Sequence, residues 1–385
     1  MDYVHYENNL LKLSAKDYCK MNTVSYMNRS TGRRIIFYVF FVAYLIHFSC
    51  TQKPRIGNDA DQVVIFPTPP EAPKIQYLTS ISKSTDITGE PSKFMSYILG
   101  KQEEKPIIKP YGIAVHNGKI YICDTMLGGL EIIDMQKNTF EYFKPSGLGQ
   151  LKKPINCAVD QQGFVYVADS ERGQIVIFNS DGQYHKSIGD ASEMKPTDVS
   201  VTQDRIWVCD IQNRRILSFD KNTYEVVDTF PQPSSSDSGN VYSPTNIYVT
   251  ENELYVSDFG DFKIKIYAKD GTPLRSIGSF GRSFGQFVRP KGIAVDRQKN
   301  LYVVDAGFEN VQIFNNQGQL LMFFGGSYKK PGDMWLPAKV AIDYNNVKYF
   351  EKYVYKDFAL KYLILVTNQY GPDKINIYGF IEKVE

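Results

Sequence analysis

The chain has 385 residues, enough for one large domain or two ordinary ones, and 43% of them are hydrophobic, enough to fill a substantial core. Its 44 basic and 42 acidic residues leave a net charge of +2, which removes the global field that would argue for nucleic acid. Tyr (27) and Phe (24) are abundant and favour strands, while only four scattered histidines (His5, His47, His116 and His185) weaken any His-based metal centre or triad.

Residues 1–50 read as a leader. Within RIIFYVFFVAYLIHFSC (34–50), Ile35 to Ile46 is an unbroken run of 12 apolar residues. That is short for a bilayer span, which needs about 20, but fits the apolar stretch of a secretory signal. Arg29, Arg33 and Arg34 supply its positive flank, and Ser49 before Cys50 resembles a bacterial lipoprotein cleavage site. In that family the cysteine is lipidated and becomes the mature first residue, which makes Cys50 the lipidation candidate. His47 departs from the pattern, which has an aliphatic residue there, and bulky Phe48 follows. A secretion signal or anchor without the lipid is the alternative. The 26 residues before Met27 are polar and unlike a signal, so translation is expected to start at Met27.

Residues 51–74 are expected to be a linker. The four prolines of FPTPPEAPK (66–74) favour an extended polyproline spacer, suited to lifting a domain off a membrane. KIQYLTSIS (74–82) then reads as a strand with no structural unit of its own, and residues 89–106 as a strap holding a short helix or irregular chain.

From there an internal repeat takes over. Six copies of Pro-x-x-apolar-x-Val, followed by Tyr-Val-x-Asp, start at Pro110, Pro154, Pro196, Pro244, Pro290 and Pro337 and end at Asp124, Asp169, Asp210, Asp258, Asp305 and Asn368. Each Asp precedes a polar turn and is expected to accept its hydrogen bonds, a structural role that suits a residue present in every unit. Two further short strands follow, such as QIVIFNSDG (174–182) and YHKSIG (184–189). Four strands per 40–50 residues predict a six-bladed β-propeller of four-stranded antiparallel blades over residues 75–385. GSFGRSFGQFVRPKGIAVDRQKNLYVVDAGFENVQIF (278–314) resembles the NHL repeat, which builds such propellers, and the unit from Lys195 through NRRI (213–216) resembles it too. The sixth unit lacks a fourth strand, so 74–82 is expected to complete that blade from the amino end and close the ring, leaving no open edge.

Of five cysteines, Cys123 and Cys209 occupy a small buried slot before the strand-ending Asp, and Cys157 lies in a strand. No spacing supports zinc, haem or a redox pair.

Function should sit where the repeat is broken. The distance from Pro337 to Asn368 is twice that in the other units, through an insert at 344–359, YNNVKYFEKYVYKDFA. Tyr349, Phe350 and Tyr353 share one helical face, so the insert predicts a short amphipathic helix. It is either a local cap or, with Tyr355, a set of partner-docking anchors. FPQPSSSDSGNVYSP (230–244) reads as a Ser/Pro-rich loop.

Two residues past each proline stand Gly112, Asn156, Asp198, Asn246, Gly292 and Lys339. If these rim the axial channel, Asn156, Asp198 and Asn246 form an oxygen cluster that could take Ca²⁺; ordinary strand-start hydrogen bonding is the alternative. Six-bladed lactonases use such ligands, but their motif sets Asn one residue after the proline, where Ile155, Thr197 and Thr245 stand. The zinc-dependent amidating lyases of the NHL group need histidine ligands, and His116 and His185 do not supply them. The expectation is an exported, lipid-anchored binding or scaffold module of the bacterial cell envelope, facing the periplasm or the cell surface. Its partner is an envelope protein, with no nucleic acid and no required cofactor. A calcium-dependent hydrolase of lactonase type is the second reading. The proline-rich run together with NQYGPDKINIYGF (368–380) resembles bacterial six-bladed propeller lipoproteins.

Overall fold

The computed structural model describes residues 63–90, 103–231 and 239–384. Cys19, Met27, the 34–50 segment with Cys50, the first part of the 51–74 linker, residues 91–102 of the strap and residues 232–238 of the Ser/Pro loop lie outside the described residues.

The protein is a six-bladed β-propeller. Blade one holds β3 (Pro110–His116), β4 (Lys119–Asp124), β5 (Gly129–Asp134) and β6 (Thr139–Phe143). Blade two holds β7 (Pro154–Val159), β8 (Val165–Asp169), β9 (Gln174–Phe178) and β10 (Tyr184–Ile188). Blade three holds β11 (Pro196–Val201), β12 (Arg205–Asp210), β13 (Arg215–Asp220) and β14 (Val226–Phe230). Blade four holds β15 (Pro244–Val249), β16 (Glu253–Asp258), β17 (Lys263–Ala268) and β18 (Pro273–Ile277). Blade five holds β19 (Pro290–Val295), β20 (Leu301–Asp305), β21 (Asn310–Phe314) and β22 (Leu320–Gly325). Every pairing is antiparallel, in chain order from the channel outward. Innermost strands of neighbouring blades touch all the way round, including β3 against the innermost strand of blade six, β23 (Pro337–Asp343).

Blade six closes the ring. β23 pairs with β24 (Phe358–Asn368), β24 with β25 (Ile375–Lys383), and β25 with β2 (Ile75–Ile81) from the amino end, as the sequence predicts. A fifth strand, β1 (Ile65–Phe66), pairs with β2 inside the stretch expected to be spacer. The proline-rich run is therefore a hairpin connection rather than a free tether, because Val64, Ile65 and Phe66 have a sheet edge to bond to.

Six apolar clusters form the core, one between each pair of adjacent blades. A middle strand is thus covered on both faces, which explains continuous apolar runs such as LYVVD rather than polar–apolar alternation. Cys123, Cys157 and Cys209 sit in these clusters as free, buried thiols, and burial raises the pKa of Cys123 and Cys209.

The strand-ending Asp does more than the sequence suggests. Asp305 is fully buried and accepts N–H from Gly307 (2.8 Å) and Phe308 (3.2 Å) in the turn behind it. It also accepts N–H from Val288 (2.8 Å) and Arg289 (3.0 Å) in the chain entering the blade. The same double staple recurs at Asp124, Asp169, Asp210 and Asp258. Asp305→Ala strands four N–H groups and should cost at least about 3 kcal/mol, read as a drop in the urea midpoint. A drop under about 1 kcal/mol would mean the carboxylate is dispensable.

Candidate functional site

Two local devices place side chains at the channel. Each innermost strand breaks register just after its proline, between Pro196 and Asp198 and between Pro244 and Asn246, for instance. The same irregularity occurs in the other four blades. Such bulges re-aim side chains. In blades one to five the Asp staple then fixes the backbone of the residue before the proline, since Lys109, Lys153, Lys195, Ser243 and Arg289 all donate their N–H to it; in blade six Leu336 donates to Glu309 instead. Repetition around the ring therefore stacks three layers: residues before the proline, one after it, and two after it.

The first two layers form the mouth of the channel, a cavity of about 310 Å³ to which blades one to five contribute. Lys153, Lys195, Arg289 and Lys291 line it, with no carboxylate among the lining residues. Lys291 is 7% exposed, and its Nζ bonds the Tyr111 hydroxyl and lies 4.5 Å from the centre of that ring. Burial, with Arg289 adding to it, pulls the Lys291 ammonium down to about 8. Burial likewise pushes the Tyr111 phenol up to about 12.

The third layer is the floor. Asp198 Oδ2 accepts Asn246 Nδ2 (3.1 Å) and the Ile247 N–H (3.0 Å), and it pairs with Lys339 Nζ. Asp198 Oδ1 accepts the Val199 N–H (2.9 Å), and Asn156 Nδ2 donates to the Thr197 carbonyl (2.7 Å). Blades three and six stand opposite one another, so the Asp198–Lys339 pair spans the channel. Gly112 and Gly292 complete the layer, because a Cβ there would lie 2.5 Å from Asn156 Cα or 2.4 Å from Lys339 Cα.

The structure thus brings Asn156, Asp198 and Asn246 together as the sequence suggests, and adds Lys339. That lysine decides the calcium question chemically. The Oδ1 atoms of Asn156 and Asn246 lack a hydrogen-bond partner, but the one carboxylate is already neutralised by an ammonium and accepts three N–H donors. A hard dication needs six to eight oxygens with net negative charge, and these residues do not fit it. Among the described residues no group of three or more His, Cys, Asp or Glu could hold a metal. His116 ends β3 beside Asn117, and His185 on β10 bonds the Tyr224 hydroxyl at 2.9 Å; neither reaches the mouth or floor.

The blade-six insert folds differently from the expected amphipathic helix. It makes two single 3₁₀ turns, Val347–Tyr349 and Glu351–Tyr353, and then enters β24 at Phe358. The reason is Gln76 on β2, whose amide donates to the Tyr353 carbonyl (2.8 Å) and accepts the Tyr355 N–H (3.1 Å). This grip holds Val354 extended and stops any helix. Phe350 is 3% exposed in the cluster between blades six and one, with Tyr349 packed beside it. Both are cap residues rather than free surface. Tyr353 and Tyr355 are about 40% exposed, and they carry what remains of a docking reading.

The sequence reading missed the basic mouth and its aromatic surround. Phe259 and Tyr111 line the cavity, and Phe262 packs on Phe259. The signal was present as a column, since the residue before the proline is Lys, Lys, Lys, Ser, Arg, Leu around the ring.

No family model matches the chain. A 95-residue stretch is 31% identical to "Protein brain tumor" of Drosophila melanogaster, covering 25% of this chain and 9% of that protein, so the chain spans less than a tenth of that relative. Solved structures that share the fold include the following three. One is a structural genomics protein of unknown function from Bacteroides thetaiotaomicron, 15% identical with a TM-score of 0.54, covering 80% of this chain and 76% of that one. A gluconolactonase from Xanthomonas campestris is 18% identical with a TM-score of 0.50, covering 72% and 86%. A catalytically inactive virginiamycin B lyase from Staphylococcus aureus with quinupristin is 14% identical with a TM-score of 0.50, covering 71% and 95%. At these identities the likeness carries the fold and no activity.

Proposed function

We propose that this protein is a binding module, an NHL-type propeller exported to the bacterial envelope, anchored by a lipid on Cys50, and serving as a scaffold for an envelope protein. The observation that carries the binding reading is the channel. Five blades converge on a concave, cationic and aromatic mouth, and the Asp198–Lys339 pair closes it below, so a ligand can seat but not pass. Concave pockets with a few convergent polar groups are the usual small-ligand sites. The export reading rests on Arg29, Arg33 and Arg34, the apolar run 35–46 and Ser49–Cys50. The exposed Tyr353 and Tyr355 on the cap are the surface offered to a protein partner. A calcium-dependent hydrolase is not supported, because Lys339 already neutralises Asp198.

The test is cross-linking and affinity capture of the full chain from intact envelopes, paired with intact-mass analysis. The expected outcome is a chain beginning at an acylated Cys50 and one envelope protein that Tyr353→Ser with Tyr355→Ser releases. An unmodified Cys50 refutes the anchor. Capture unchanged by both substitutions removes the cap as the docking surface.

A further inference from the structure

We infer that the channel mouth binds a small organic oxyanion, its phosphate or carboxylate group seated between Lys291, Arg289, Lys195 and Lys153 and its organic part against Ile211 and Phe259. This rests on the binding reading above and names the ligand class.

Four observations converge on it. The first is a cavity of about 310 Å³, at the small end of ligand pockets. The second is charge: four cations from three blades face one space without a lining carboxylate. Lys153, Lys195 and Arg289 have no side-chain ion pair or hydrogen bond among the described residues. The buried carboxylates that border this layer are spent, Asp198 on Lys339, Asp169 and Asp305 on backbone N–H groups, and Asp210 on backbone N–H groups and Arg215. The third is Lys291, a buried cation paired only with a phenol and its ring, whereas the buried lysines 265 and 339 each have a carboxylate. A buried charge left without a counter-charge is costly, and an incoming anion supplies what the fold omits. The fourth is fixed geometry, because Arg289 and Lys195 stand on backbone held by Asp305 and Asp210. A guanidinium placed this way offers a planar fork to a carboxylate or phosphate, and the lysines act as point charges around it. The low pKa of Lys291 agrees with a buried cation whose charged neighbour is Arg289 rather than a carboxylate.

The probe is pyridoxal 5′-phosphate on the full-length protein at pH 8. The Lys291 amine and the aldehyde condense to an imine with loss of water, and borohydride then delivers hydride to fix a secondary amine that peptide mapping locates. Lys291 should be labelled first, and at least about tenfold faster than by pyridoxal, which lacks the phosphate. Inorganic phosphate and citrate should each protect it, and the stronger protector identifies the preferred group. Arg289→Gln should slow labelling, and Lys291→Met should abolish the rise in melting temperature that citrate or phosphate gives. Label spread evenly over exposed lysines, with no protection and no thermal shift, overturns the proposal. If the ligand that protects is converted to a product seen by NMR, the binding-only reading fails while the anion site stands. If neutral sugars protect and anions do not, the site binds ligands of another class.

Discussion

A chain lacking residues 63–81 should show no cooperative melt and should be cut rapidly by protease. β2 pairs with β25 from Ile75 opposite Phe380 to Ile81 opposite Ile375. Its side chains face both neighbouring interfaces: Ile75 lies in the cluster between blades five and six, and Leu78 and Ile81 lie in the cluster between six and one. Losing three buried aliphatic side chains costs roughly 10 kcal/mol. That is comparable to the whole stability of an ordinary domain, about 5–15 kcal/mol. The deletion also bares β25 as an edge strand and frees the cap that Gln76 grips. Ile75→Ala grades the effect, with an expected loss of about 3 kcal/mol in the urea midpoint. A deleted chain that melts like the full one would mean that β2 is an accessory.

Glu131→Gln should stabilise the protein at neutral pH. Glu131 lies on β5, fully buried, and neither carboxylate oxygen has a hydrogen-bond partner. The matching position of blade four is Lys265, whose ammonium pairs with Asp258 at 3.1 Å. Blade one puts an acid there instead, beside Asp124, whose oxygens accept backbone N–H from Ile108, Lys109, Met126 and Leu127. Burial, and then Asp124, push the Glu131 carboxyl from 4.5 up to about 9. Because the folded value is the higher one, the contribution is fully present below pH 4.5 and is lost as pH rises through 9. At pH 7 the carboxyl must hold its proton about 2.5 pH units above its ordinary value, a penalty of about 3 kcal/mol relative to the unfolded chain. Glu131→Gln keeps the shape and removes that penalty. The variant should be more stable by about 3 kcal/mol at pH 7 and equal to wild type at pH 4. A difference that does not change with pH would show that Glu131 ionises in the fold.

The ring was readable because its determinants are periodic. The proline that opens each blade and the Asp that staples it recur every 41–48 residues, and the missing fourth strand of the last unit pointed to KIQYLTSIS. The mouth was not readable in the same way. Lys153, Lys195, Arg289 and Lys291 sit in three different repeats, and nothing local marks them as neighbours until the blades close around the axis. Lys339 likewise stood with Gly112 and Gly292 outside the Asn–Asp–Asn run of its column, and only the ring geometry sets it opposite Asp198. The aromatic periodicity of the insert was real, but a single glutamine on a strand some 280 positions earlier fixes its backbone, so local propensity gave way to a long-range contact. Glu131 escaped notice because a Glu in a strand reads as solvent-facing unless both faces of that strand are known to be covered.

The pairing of β2 with β25 also sets an order of events during synthesis. The strand that completes blade six is the first of its blade to be made, and its partner is the last, so β2 must wait for nearly three hundred residues to follow it before its edge is covered. Blades one to five can form locally as they emerge, whereas ring closure is the most non-local step and should be the slow one. During that interval β2 has only the two-residue β1 beside it, and its other edge stays open ahead of a growing propeller, a place where a chaperone that holds extended segments would bind.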